Sequence, residues 1–236
     1  MTLPLRLAAI AAILPAFLLG SFLYSLPAYL RQRKTAPVAL VLGDGPVRIA
    51  TIAEAIAWLR GRGLPGLELV REAQRLVAAK MIYSRRNNWD TAERAFASGA
   101  GYCQQSAGAL LLILRGLDLE ARMVQCVRNE FPPRDLHEYR TAGGTCGHAW
   151  LRVRVAGEEF DVCPGDPANE PGKIHFRILG RVTPYRGLAR VFGHFGSALL
   201  NTWWDRRARR AAGLPPAAPR TAAPGATESP PAAPGS

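Results

Sequence analysis

Three residues in the middle of the chain have the types and local settings of a nucleophilic site. Cys103 stands in Gly-Tyr-Cys-Gln-Gln-Ser-Ala, His148 in Gly-His-Ala-Trp and Asp161 in Glu-Phe-Asp-Val. A thiol at the start of a helix is biased toward thiolate by the partial positive charge of the helix end. A nearby imidazole strengthens that bias and carries the proton between nucleophile and leaving group. A carboxylate on the other ring nitrogen fixes the tautomer and orientation of that imidazole. The chemistry implied is thiolate attack on a carbonyl carbon through an acyl-enzyme. Taken singly, each residue has a plainer reading: a core cysteine, a hydrogen-bonded strand histidine, a turn-side aspartate. Their combination, order and flanks carry the inference.

The surrounding pattern supplies elements to hold them. Residues 51–60 read as a helix with Ile52, Ala55, Ile56 and Leu59 on one face, and Thr51 with Glu54 forms a capping box at its start. Helical patterning resumes over 67–83, and 90–97 is a short helix or turn. Residues 103–114 are apolar nearly all round, which marks a buried helix. Strands are predicted at 121–127, 148–155 and 160–163, with a turn near Gly157 and a loop over 128–147. That hairpin brings His148 and Asp161 near one another. Helices first, then one buried helix, then antiparallel strands is an α+β order.

Composition bounds the rest. The 236 residues carry 30 Lys and Arg against 18 Asp and Glu, a net charge of +12. Basicity of this size suits nucleic acid or an anionic membrane surface. No Lys/Arg-rich recognition helix stands out, so membrane is favoured and no nucleic-acid partner is expected. The four cysteines, Cys103, Cys126, Cys146 and Cys163, include no Cys-x-x-Cys pair. With Cys103 as nucleophile, at most one disulfide can form among the other three. Metal binding by Cys103, His148, Asp161 and a further cysteine ranks lowest, because Cys146 and His148 are too close on a strand for a usual ligand pair. No metal or cofactor is expected.

Residues 7–30 carry no charge and are long enough to span a bilayer. An uncleaved anchor is favoured over a signal peptide, because the apolar run is long and only Arg6 precedes it. Arg31, Arg33 and Lys34 follow the span, which favours a cytoplasmic domain. The chain therefore divides into an anchor with a basic flank (1–34), a catalytic domain (35–185), a C-terminal helix (186–212) and a disordered Pro/Ala-rich tail (213–236). Trp203, Trp204 and the arginines from Arg206 to Arg210 make that helix a candidate for the headgroup layer. The alternative is a last helix packed on the domain.

Gly101-Tyr102-Cys103, the apolar helix closed by Arg115, the strand Glu120-Ala121-Arg122-Met123-Val124, His148-Ala149-Trp150 and Asp161 together resemble the transglutaminase-like superfamily of papain-related cysteine enzymes. The resemblance covers 82–167. It implies a Cys-bearing helix packed on an antiparallel sheet, with Cys103 as nucleophile, His148 as base and Asp161 as orienting acid. The family usually shows Asp-Pro after the second strand. Here Val162-Cys163-Pro164 follows Asp161, so Asp166, before Pro167, is a rival third residue. Trp89, Gln104 and the more distant Trp58 are candidate oxyanion or supporting residues. The resemblance implies a protein or peptide amide as substrate, with hydrolysis favoured over lysine cross-linking. A non-catalytic module that binds a peptide or polymer at the membrane is the competing reading.

Overall fold

The computed structural model describes residues 3–31, 39–42, 45–136, 139–141 and 143–213. The expected basic flank at Arg33 and Lys34, and the tail beyond Gly213, lie outside the described residues. The first helix, α1 (Leu3–Leu30), contains a stretch from Ile13 to Leu30 long and apolar enough to cross a membrane. Its last third docks on the rest of the chain: Ser21 and Ser25 are buried, and Tyr29 donates a 2.7 Å hydrogen bond to Asp90.

A small hairpin, β1 (Ala39–Leu42) and β2 (Gly45–Arg48), leads into α2 (Ile52–Gly61). The capping box holds as expected: Glu54 N–H donates to Thr51 Oγ1, and the Glu54 carboxylate accepts from the Ala50 and Thr51 amides. These backbone donors hold the Glu54 carboxyl below its usual range. Helix α3 (Gly66–Lys80) buries Val70, Ala73, Leu76 and Val77, four positions of one helical stripe. Next come β3 (Ile82–Tyr83), α4 (Ala92–Ser98), capped by the Thr91 hydroxyl, and β4 (Ala100–Gly101), which pairs in parallel with β3. The central helix α5 (Cys103–Gly116) follows at once and buries Ala107, Ala109, Leu110, Ile113 and Leu114.

The sheet is built on β5 (Glu120–Phe131). A minor hairpin of β6 (Arg134–Leu136) and β7 (Tyr139–Thr141) separates it from its antiparallel partner β8 (Gly144–Val155). On the far side of β8 lies β9 (Glu158–Val162), and two short strands, β10 (Arg177–Ile178) and β11 (Thr183–Pro184), pair with the other edge of β5. The chain ends in α6 (Gly187–Ala211). The expected loop over 128–147 is mostly sheet. The β5–β8 ladder runs past a bulge between Cys126 and Asn129 and continues through Asn129↔Cys146 to Phe131↔Gly144. The turn glycine Gly143, at φ 82°, sits where a Cβ would meet the Phe131 carbonyl at 2.6 Å.

Side-chain alternation gives the sheet two different faces. Leu151, Val153 and Val162 point into the core shared with α2, α3 and α5. Val124, Cys126, Trp150 and Cys163 point the other way, into a second cluster closed by Phe176.

Candidate functional site

The start of α5 is fixed from both sides. Tyr102 is buried, and its amide donates to Gln105 Oε1 at 3.1 Å, while Gln105 Nε2 donates to the Asn87 carbonyl at 2.6 Å. Gly101 has no space for a side chain: a Cβ there would meet Met81 Cε at 2.8 Å and Gln105 Cβ at 2.9 Å. The glycine lets β4 press against α4 and α5, which sets where the helix begins.

Cys103 is the first residue of that helix. The backbone amides of Ala149, on β8, and of Gln104 and Cys103 at the helix end act on its sulfur to lower the thiol's pKa. Those donors favour the thiolate, as a helix N-terminus should. Burial opposes them and prevails: the thiol is pushed up to about 12, with Cys146 adding to the rise. Cys103 is half-buried, and the raised value leaves it a protonated thiol at neutral pH. The Ala149 contact joins it to the residue next to His148 on the strand.

His148 pairs across the ladder with Cys126 and is buried. Its ring sits among aromatic side chains. Phe176 meets it edge-on at 4.6 Å between centroids, Phe131 at 5.2 Å, and Trp150 stacks at 6.1 Å. Its Nε2 lies 3.3 Å from Cys163 Sγ. Cys163 directly follows the end of β9 and is only 1% exposed. Asn169 braces that turn by donating to the Cys163 carbonyl at 2.8 Å, and Gln74 Nε2 anchors the Asn169 carbonyl at 2.6 Å.

Asp161, the expected orienting acid, takes partners on the sheet. The β8–β9 register places Asp161 opposite Arg152, and Asp161 Oδ1 accepts from Trp150 Nε1 at 2.8 Å and Arg152 Nε at 3.0 Å. His148 is four residues up the strand from Arg152, about 13 Å at 3.3 Å per residue. The carboxylate serves the sheet face beneath the imidazole, and a thiol faces the ring. The rival Asp166 accepts the Ala168 amide at 2.9 Å in a turn. Cys163 is the residue that the sequence reading passed over. The signal was there in Cys163-Pro164, which stands where the resemblance leads one to look for Asp-Pro.

The two supporting candidates turn toward other elements. Trp89 Nε1 donates to Ser25 of α1 at 3.0 Å, and its indole packs edge-on against Phe22, His194 and Phe195. The Gln104 side chain accepts from the Tyr102 hydroxyl at 2.7 Å and donates to Ser197 Oγ and the Gly193 carbonyl of α6. It is the Gln104 backbone amide, not its side chain, that lowers the pKa of the thiol. Trp58 packs on the α5 side of the sheet with Arg62 over its ring.

Tyr185 and α6 complete the cover. Tyr185 is buried beside α6, where Gly193 leaves room for its ring, and its hydroxyl donates to the Arg190 carbonyl. Burial raises the pKa of that hydroxyl above its ordinary value, and the neighbouring Cys103 adds to the rise. All four cysteines are thiols rather than disulfides. Among the described residues, no group of three His, Cys, Asp or Glu is placed to hold a metal ion.

The transglutaminase-like superfamily, described by its core domain, matches residues 55–163 of this chain. No curated protein matches it. A solved structure described provisionally as a cysteine protease, from Cytophaga hutchinsonii, is similar at 13% identity with a TM-score of 0.34. The likeness covers 67% of this chain and 52% of that one, so this chain spans about half the length of that protein.

Proposed function

Since residues 55–163 match the transglutaminase-like superfamily, we propose that this chain is a membrane-anchored cysteine enzyme acting on amide bonds of a protein or peptide. The observation that supports it is the placement of Cys103 as the first residue of a buried helix, where the amide of Ala149, the residue after His148 on β8, acts to lower the thiol's pKa. In this reading Cys103 gives its proton to His148 and attacks the amide carbonyl. The S–C bond forms, the C–N bond breaks, and His148 returns the proton to the departing amine. Water then enters by the reverse route and releases the acid. Hydrolysis is favoured over transfer to a lysine amine. Backbone amides at the head of α5 are the donors for the oxyanion. Cys163, rather than Asp161, holds the imidazole from its Nε2 side.

The basic residues after the span favour a domain on the cytoplasmic side. The binding-module reading draws on one specific observation, the burial that pushes the Cys103 thiol up to about 12 under Tyr185 and α6. A peptide vinyl sulfone separates the two when applied to the full chain in detergent and mapped by mass spectrometry. The enzyme reading expects an adduct on Cys103 that His148→Ala abolishes. An adduct confined to the exposed Cys146, or one on Cys103 that His148→Ala leaves unchanged, would sink it in favour of the binding module.

A further inference from the structure

Outside the thiol site, the described residues bring three guanidinium groups to one cavity at the junction of α1 and α6. The cavity, of about 260 Å³, is lined by Tyr24, Trp203, Arg206, Arg207 and Arg210. Arg206 lies over the Tyr24 ring at 4.3 Å and donates to the Tyr24 carbonyl at 3.3 Å. Arg207 lies over Trp203 at 5.5 Å. Arg206 and Arg210 are one helical turn apart, as are Arg207 and Arg210, spacings at which like charges repel. No carboxylate lines the cavity. The nearest acidic residue of α6, Asp205, is buried and committed to Arg86 at 3.0 Å. Such a site is matched by an anion with several acceptor oxygens.

Its position points to the source of that anion. From Arg6 to Tyr24 the helix rises about 27 Å at 1.5 Å per residue, close to the hydrocarbon thickness of about 30 Å. With Arg6, the charge that bounds the apolar run, at one face of the bilayer, Tyr24 stands near the other, and the last turns of α1, where Ser25 and Tyr29 dock on the domain, lie beyond the hydrocarbon. Trp203 and Trp204 are each about two-fifths exposed beside it, as membrane-boundary aromatics are.

We propose that this cavity binds the phosphate headgroup of an anionic phospholipid, held by Arg206, Arg207 and Arg210 between the rings of Tyr24 and Trp203. The proposal rests on the reading of α1 as a membrane span, and it is independent of the chemistry at Cys103.

The test is native mass spectrometry of the full chain in detergent with equal amounts of phosphatidylglycerol and phosphatidylcholine of matched acyl chains. Wild type is expected to retain phosphatidylglycerol preferentially, at about fivefold for each arginine engaged. R206Q/R207Q/R210Q is expected to lose the preference, and R210Q alone, which leaves the Arg206–Tyr24 contact in place, to lose part of it. R60Q/R62Q/R75Q, with the same charge removed elsewhere on the surface, is expected to keep it. Equal retention of the two lipids by wild type, or a preference untouched in R210Q and in the triple variant, overturns the proposal. Displacement of the lipid by millimolar inorganic phosphate at constant ionic strength assigns the cavity to free phosphate and overturns it as well. Alkaline extraction of membranes separates the two readings. Chain retained in the pellet without lipid preference removes the headgroup site alone, whereas chain released to the supernatant removes the membrane span on which it rests.

Discussion

The Cys103 sulfur is pulled two ways, by amides that favour its anion and by burial that disfavours it, and burial wins. Its alkylation by iodoacetamide is therefore expected to be slow at pH 7 and to climb through pH 10 without a plateau. An accessible thiol would level off above its ordinary value of about 8.5. A plateau below pH 9, located on Cys103 by mass spectrometry, would contradict the raised value of the thiol. The neighbours of His148 give a second expectation. With the peptide vinyl sulfone, Cys163→Ala slows labelling of Cys103, whereas Asp161→Asn leaves the rate within about twofold and costs about 1–3 kcal/mol of stability, because a buried indole donor loses its charged acceptor. Equal slowing by both would return the orienting role to Asp161. The placement of Cys103 at a helix start and of His148 on a strand was legible because the signals are local: a glycine-led helix start and a His-Ala-Trp strand. The Cys163 thiol beside His148 Nε2 was not. It depends on where β9 stops against β8, and the pairing register is a long-range property that neighbouring residues do not announce.

At the level of elements, α6 is the piece whose seat the sequence left open. Patterning allowed either a surface helix at the headgroups or a last helix on the domain, and the helix does pack against the domain and α1. Its firmest tie is Arg86–Asp205, both nearly buried. Asp205→Ala removes the carboxylate from a nearly buried guanidinium and is expected to cost up to about 3–5 kcal/mol, read as a lower denaturation midpoint and faster proteolysis within α6. A cost below about 1 kcal/mol would mean the guanidinium finds water. His194 supplies a pH signature for the same seat. Burial, and then Arg190, depress its affinity for protons below the usual 6.5. The folded state holds the ring neutral and the unfolded state does not, so its contribution is intact above about pH 6.5 and is lost as pH falls below that. Proteolysis of α6 is expected to speed up from pH 7 to pH 5, and His194→Gln to flatten that rise. The misread 128–147 segment has a different origin. Its two prolines and paired glycines signal a turn, and they make one, but the ladder on either side is carried by cross-strand bonds to residues distant in sequence.

Across the whole molecule, three acids are kept in their neutral forms around the candidate site. Burial raises the Tyr102 and Tyr185 hydroxyls above their ordinary 10.0, as it raises the Cys103 thiol. For each, the unfolded chain gives up its proton first, so stability is fully present below about pH 9 and declines as pH climbs toward 12. The thermal midpoint is expected to drop steeply over that range, and less steeply in Cys103→Ala and Tyr185→Phe. Identical slopes in the three proteins would mean that these groups are solvated. The broad architecture was legible because it follows from patterning: a long uncharged helix, an apolar one, then alternating strands. What patterning could not convey is that the first and last helices meet. Trp89 lies between Phe22 and Ser25 on one side and His194 and Phe195 on the other, two residues from the Asn87 carbonyl that steadies Gln105 at the head of α5. Such a joint works as a bracket rather than a leash. A head on a flexible tether sweeps a hemisphere of substrates, but one clamped to its stalk works at a single altitude. On the proposed anchoring, bonds carried at that height above the lipid come within reach of Cys103. The same bonds held higher stay out of range, however well their chemistry suits the thiol.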